Sequence, residues 1–289
     1  LRRKKNVEVE KEILQLTEKH LNDIKTRLDT GKVSRYELLR AETDMLRARG
    51  ALNQAEMRYR EAQHRIAELT ELDPPLRFRG RLDYIKTDPA LGEESAYAFS
   101  TRPDLAARGL AVDVEKAKKR AEVGEYLPHV FFTAEGAYQN PEYGQLGGDE
   151  EFDSFWQVGL AVRVKLFDGF KTSSRVRKQT RRIKQARLEE QKLKKNIVRE
   201  IRDALLLLEK SSDMVFIQQK AVKKARKTLE LVTAGYRNQV NTQLEVSDAR
   251  VQVSKAENDF VDAIYNHELA RIQLNFITGR IMDEWKKMK

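Results

Sequence analysis

A chain of 289 residues has room for one or two domains, but 35% charged against 8% aromatic residues is poor material for a large globular core and favours long helices that support one another. The lack of cysteine excludes thiol catalysis, thiolate metal sites and disulfides, and no run of about eighteen apolar residues exists to make a transmembrane helix. The net charge of +10 comes from 55 basic and 45 acidic residues that are mostly intermixed, the pattern of solvated helix faces.

The chain opens on Leu1-Arg2-Arg3-Lys4-Lys5 and passes directly into helical sequence with no apolar leader, which predicts a start inside a helix. Residues 1–30 hold neither Gly nor Pro, and Val9, Ile13, Leu16, Leu21, Ile24 and Leu28 recur at near-helical spacing up to Gly31. Ser34-Arg35-Tyr36-Glu37 then has the form of a capping box, starting a second helix that runs to about Leu72, where Asp73-Pro74-Pro75 stops it. Along that helix Leu38, Ala41, Met45, Ala48, Leu52, Ala55, Tyr59, Ala62, Ile66 and Leu69 alternate three and four residues apart, a coiled-coil seam with Ala at every second position.

All six prolines fall between Pro74 and Pro141, so helix is broken repeatedly in the middle of the chain. Residues 73–101 read as a connector with little regular structure, and 102–126 as a shorter helix with Pro103 in its first turn and its end near Gly124. Two alternating stretches follow within 127–169. In Leu127–Tyr138, Val130, Phe132, Ala134 and Tyr138 share a face; in Phe155–Phe167, Trp156, Val158, Leu160, Val162, Val164 and Leu166 oppose Gln157, Gly159, Ala161, Arg163 and Lys165. Each predicts a strand of about eleven residues, enough for a tilted bilayer crossing within a barrel. Gly147-Gly148-Asp149-Glu150-Glu151 suits an exposed turn between them, and Tyr138, Tyr143, Phe152, Phe155, Trp156 and Phe167 suit an interfacial girdle. A soluble sandwich edge is the competing reading of this hairpin.

From Lys171 to Ala234 there is again no Gly or Pro, predicting a helix approaching roughly 100 Å at 1.5 Å per residue. It leads to a bend at Gly235, and a last helix returns to Gly279, leaving 280–289 as a tail. Laying Thr242 over Ser34 puts Glu245 on Glu37 and Ala249 on Ala41. The seam Val246, Ala249, Val253, Ala256, Phe260, Ala263, His267, Ala270, Leu274 and Ile277 then repeats the large-then-Ala rhythm of the second helix. The chain therefore reads as two copies of one helical hairpin, residues 1–72 and 170–279, the first shortened at its N-terminus.

The order of these parts resembles the TolC-like outer-membrane efflux protein family. The match is carried by the two bends with their following helices, by Arg102-Pro103-Asp104-Leu105, by Leu127-Pro128 at a strand start, and by Trp156-Gln157-Val158-Gly159-Leu160 leading to Leu166-Phe167-Asp168-Gly169. The resemblance implies a mainly α fold: long antiparallel coiled-coil helices of an α-barrel, with a β-hairpin contributed to a trimeric transmembrane β-barrel. It implies a homotrimer in the bacterial outer membrane with a periplasmic helical tunnel, working with a periplasmic adaptor and an inner-membrane pump in tripartite efflux or type I secretion. The partner strand pair and a signal peptide are expected upstream of Leu1. Outer-membrane lipid would meet Trp156, Val158, Leu160, Val162, Val164 and Leu166. No cofactor, metal or nucleic acid is expected, and the absence of a catalytic triad, phosphate loop or paired-carboxylate cleft argues against an enzyme. The rival reading is a soluble coiled-coil scaffold or a nucleic-acid-binding helical protein.

By the same resemblance the periplasmic entrance lies at the bends. Tyr236 falls on a gate tyrosine, Glu245 and Asp248 fall on carboxylate positions, and Asn241 replaces the arginine of that network, so the lock is expected to be weaker or differently made. Glu245 has a second reading as the capping partner of Thr242, whereas Asp248, one turn on, is not explained by a cap. Gly31, Lys32, Val33 and Ser34 with Gln239, Val240 and Thr242 form tips that either dock an adaptor or are plain tight turns. The basic run Arg175, Arg177, Lys178, Arg181, Arg182 and Lys184 follows the second strand directly, where it would meet anionic headgroups, water or, weakly, DNA. His20, His64, His129 and His267 are scattered without metal-ligand spacing.

Overall fold

The computed structural model describes residues 1–73, 76, 80, 82–139 and 153–281. The prolines at 74, 75 and 141, the turn at 147–151, Tyr143, Phe152 and most of the 280–289 tail lie outside the described residues. Six helices and two strands run in the order α1 (Arg2–Asp29), α2 (Arg35–Thr70), α3 (Leu91–Thr101), α4 (Pro103–Gly124), β1 (His129–Gln139), β2 (Asp153–Arg163), α5 (Lys171–Arg237) and α6 (Gln243–Thr278) among the described residues. The chain divides into two compact units, Leu1–Ala98 with Val198–Lys289, and Phe99–Ile197.

In the first unit α1 is the shared partner, packing on both α2 and α6. Ile24 is fully buried and joins Leu21, Ala41, Tyr236 and Val246 in a cluster just below the helix bends. A second cluster pairs Val215 of α5 with Ala263 and Ile264 of α6. The two seams differ in their fate. That of α6 is sealed at Val246, Ala249, Val253, Ala263, His267, Ala270 and Leu274; α1 and α5 pack against α6, and Tyr84 and Ile85 meet it at His267. That of α2 is only half-buried beyond Ala41 and opens entirely at its far end, where Ile66 and Leu69 are exposed and Ala67 is the buried residue.

Four further departures from the sequence reading have local causes. The 73–101 connector contains a regular helix, α3, whose Glu93 and Glu94 occupy the first turn, where acidic side chains favour helix starts. Glu94 is buried and takes both arms of Arg280, which explains why so short a helix is held. Helix α2 stops at Thr70, two residues early, with Glu71 in the left-handed region (φ 55°) closing it. The strands sit nearer their connecting loop than the alternation predicts, β1 starting two residues later and β2 ending four residues earlier, so Val164 and Leu166 lie beyond β2 while remaining exposed. The bend is not at Gly235: α5 continues through it to Arg237. His267, placed by the pattern on an Ala-rich seam, is fully buried, because its Nε2–H donates to Ile85 O (3.2 Å) and its Nδ1 lies 3.1 Å from Ser211 Oγ.

In the second unit β1 and β2 pair antiparallel from His129↔Arg163 to Gln139↔Asp153. Val130↔Val162, Phe132↔Leu160 and Ala134↔Val158 share one face, which is apolar and exposed at every one of these positions. The opposite face carries polar ties: Gln157 Nε2 donates to Glu135 (3.1 Å), and the Arg163 guanidinium lies 5.0 Å from the Phe131 ring centroid. A two-stranded hairpin with an uncovered apolar face is not stable alone in water. A Cβ on Gly159 would come within 2.9 Å of Thr133 Oγ1, so a larger residue there would force its cross-strand neighbour to shift.

Candidate gate at the paired helix bends

The bends 30–34 and 238–242 have the same backbone. At the first, Gly31 N–H donates to Leu28 O (2.9 Å) and Lys32 N–H to Arg27 O (2.9 Å); at the second, Gln239 N–H donates to Tyr236 O (3.1 Å) and Val240 N–H to Gly235 O (2.8 Å). This is the paired closure of a Schellman ending, with the left-handed residue at Gly31 (φ 69°) and at Gln239 (φ 62°). Glycine reaches that conformation without penalty and glutamine does not, so the second bend is the strained copy. Gly235 is needed for another reason: a Cβ there would overlap the Asn241 side chain.

The caps then diverge. At the second bend the box is complete: Thr242 Oγ1 accepts from Glu245 N (3.3 Å), and Glu245 Oε2 accepts from Thr242 N (2.7 Å), Thr242 Oγ1 (3.1 Å) and Asn241 Nδ2 (3.2 Å). These bonds, the backbone one foremost, hold the Glu245 carboxyl below its usual range. At the first bend only half the predicted box forms. Ser34 Oγ accepts from Glu37 N (3.3 Å), but the Glu37 carboxylate does not return to Ser34. It accepts instead from the Tyr236 hydroxyl, 2.6 Å away and 199 positions along the chain.

Tyr236 is consequently the tie between the bends. It is buried, its ring is tilted against His20 (centroids 5.7 Å), and the Arg27 guanidinium lies 5.2 Å from its centroid. Burial first, and then the hydrogen bond to Glu37, push its hydroxyl well above the usual phenol range. His20 and Gln243 are 2.8 Å apart, the imidazole Nε2–H donating to Gln243 Oε1. Burial, reinforced by the nearby Arg250 charge, lowers the His20 pKa to about 4. Arg250 is itself buried, and burial lowers its pKa to about 10 against the opposing attraction of Asp44. Among the described residues Arg250 Nη1 and Gln243 Nε2 have no hydrogen-bond partner. A cavity of about 490 Å³ between α1, α5 and α6 is bounded by His20, Asp23, Tyr236, Arg237 and Arg250.

Of the residues singled out in sequence, Tyr236, Asn241 and Glu245 are thus drawn into hydrogen-bonded positions, and Asp248 stands exposed on α6. Gly31, Lys32, Ser34, Gln239, Val240 and Thr242 are exposed and Val33 half-buried; of these, Lys32, Val33, Gln239 and Thr242 line an open groove of about 740 Å³ between the bends. Trp156, Val158, Leu160 and Val162 lie on the exposed face of β2. Glu37, His20, Gln243 and Arg250 were missed. For Glu37 the capping pattern gave a sufficient local explanation, and His20 had no neighbour in sequence to announce it. Among the described residues no group of three or more His, Asp or Glu side chains is placed to hold a metal ion.

Long helices bent at tips are thus joined in one chain to a hairpin with an exposed apolar face. The family model for outer membrane efflux proteins matches residues 97–280, and the chain belongs to that family. Family membership places it in the outer membrane with its helices on the periplasmic side. It is 24% identical over 258 residues to outer membrane efflux protein BepC of Brucella suis biovar 1 (strain 1330), a match covering 89% of this chain and 56% of BepC. Its fold is shared with CusC (TM-score 0.72, 16% identity, 96% of this chain and 65% of CusC). It is shared as well with VceC of Vibrio cholerae (TM-score 0.68, 16% identity, 96% and 66%). The chain therefore spans a little over half the length of the curated relative it matches.

Proposed function

We propose that the chain is part of a passive exit duct, a homotrimer that receives substrate from an inner-membrane pump through a periplasmic adaptor, in tripartite efflux or type I secretion, and releases it outside. The observation that carries the reading is the hairpin: two strands of 11 residues with one continuous apolar, exposed face, leading on both sides into helix. That face has the length and chemistry for lipid, and closure of the barrel would satisfy the free strand edges. Residues 1–72 and 170–279 act as the two tunnel hairpins, 73–101 as connector, 102–126 as the short helix, 127–169 as the barrel segment and 280–289 as a tail. Trp156, Val158, Leu160 and Val162, with Val164 and Leu166 just past the strand, face the lipid.

In this reading the bends form the periplasmic entrance. Tyr236 and Glu37 latch one bend to the other, Asn241 and Glu245 hold the second turn in shape, and Asp248 supplies the charge that entering cargo meets. Gly31, Lys32, Val33, Ser34, Gln239, Val240 and Thr242 form the tips, and Lys32, Val33, Gln239 and Thr242 among them line a groove suited to an adaptor tip. The duct performs no chemistry, and energy comes from the pump. Three copies of Asp248 around an axis would favour cations. Reconstituted in a planar bilayer, Asp248→Asn should lower the cation preference measured by reversal potential in a salt gradient. Unchanged selectivity would remove Asp248 from the entrance, and a full-length protein that stays soluble and monomeric without detergent would defeat the duct itself.

A further inference from the structure

We infer that the opening turns of α5, with the apolar belt that precedes them, form a binding surface for anionic phospholipid headgroups of the periplasmic leaflet. The inference rests on the reading that the hairpin crosses the membrane. Residues 171–188 contain eight Lys or Arg and no Asp or Glu, whereas charges elsewhere in the chain are mostly mixed. A helix start is where cations are least welcome, because the macrodipole is positive there, and α5 has no acidic residue in its first turn to relieve them.

Among the described residues none of the eight makes an ion pair, and only Glu115 near Arg182 and Glu125 near Arg175 offset the run at longer range. The carboxylates nearby are already engaged. Asp168 caps α5 by accepting from Thr172 N (2.7 Å), Glu125 holds Lys165 (2.7 Å), and Glu115 holds Lys118 (2.6 Å) and also Gln179. Lys171, Arg175, Arg177, Lys178, Arg181 and Arg182 are all exposed. Among the described residues the collar therefore keeps a surplus of positive charge that an external anion could neutralise.

The neighbouring residues point to which partner. Leu166, Phe167 and Phe170 are 95%, 79% and 69% exposed, and the two phenylalanine rings meet edge to face at 5.8 Å. An apolar and aromatic belt followed at once by a cationic collar matches the order of a bilayer edge, hydrocarbon and then phosphate. The dimensions agree as well. A headgroup layer is roughly 6 Å deep per leaflet, so at 1.5 Å per residue the first turn of α5, which begins at Lys171, would stand in it. Arg175, Arg177 and Lys178 would follow within about a Debye length of 8 Å. A nucleic-acid duplex would use the same cations but would leave the belt in water.

The test uses the full-length protein in nanodiscs made from an equal mixture of phosphatidylcholine and phosphatidylglycerol, with retained lipids identified by native mass spectrometry. Phosphatidylglycerol should be retained several-fold over phosphatidylcholine. Neutralising Lys171→Gln, Arg175→Gln and Lys178→Gln should reduce that preference about fivefold per charge removed, while Lys171→Arg, Arg175→Lys and Lys178→Arg should preserve it. Equal retention by wild type and the neutral triple variant overturns the inference. Displacement of the lipid by millimolar inorganic phosphate reassigns the collar to soluble phosphate and also overturns it, as does capture of duplex DNA in preference to the lipid. Insertion without lipid preference sinks this inference alone, whereas failure to insert in any bilayer sinks the membrane-crossing hairpin with it.

Discussion

The two bends share a backbone and differ in what one glutamate does. Glu245 turns back on its own helix start and gathers three donors, whereas Glu37, in the matching place, leaves its cap half-made and reaches across to the Tyr236 hydroxyl. The cap of the second bend is therefore made within itself, and the first bend is tied to the second through Tyr236. Duplication supplied two copies of a turn, and a single diverted carboxylate converts the pair into a latch. The strain is divided in the same sense, with glycine in the left-handed position of the first bend and glutamine in that of the second.

The largest expected effect comes from pH. His20 sits behind Tyr236 with Arg250, Asp23 and Asp44 around it, and its pKa falls from 6.5 to about 4 in the folded chain. The stability contributed by keeping it neutral is present above pH 6.5 and is lost as pH falls toward 4, up to about 3 kcal/mol. Denaturant unfolding of the wild type at neutral pH and near pH 4.5 should show this loss, and His20→Gln should remove most of the pH dependence. If the variant keeps the same slope, the bend is held by something other than a neutral imidazole.

A double-mutant cycle sharpens the contrast between the glutamates. Tyr236→Phe and Glu37→Gln should each cost about 1.5–3 kcal/mol, the range for a hydrogen bond to a charged group. Their combination should cost little more than either, because both remove one bond. Pairing Tyr236→Phe with Glu245→Gln should instead give additive losses. The smallest effects exchange the strain: Gln239→Gly should stabilise the protein by about 1 kcal/mol and Gly31→Ala should destabilise it by a similar amount. Thermal unfolding of the two variants measures both signs, and equal signs would show that the bends do not share one conformation.

Much of the fold was legible because Gly and Pro punctuate it. Pro103 and Gly279 mark helix ends that the structure reproduces, and the alternation from Trp156 to Val162 marks the apolar face of β2. Helix α3 escaped because its hold on Arg280 through Glu94 is made by a residue far along the chain. Gln239 escaped because a left-handed helix ending is announced by Gly or Asn, and glutamine announces nothing. The α2 seam was over-read at Ile66 and Leu69, since periodicity marks a face that could be covered and says nothing of whether a neighbour covers it. In the candidate site Thr242 and Glu245 were readable as a local motif, while the Tyr236–Glu37 bond spans 199 positions and local pattern explained each end separately.

Single-channel conductance of the reconstituted full-length protein tests most directly the claim that the bends are latched to each other. Wild type should rest in a low-conductance state, and Tyr236→Phe, Glu37→Gln and their combination should all raise the mean conductance to one common level. Unchanged conductance in all three, with the protein inserted and trimeric, would contradict the latch.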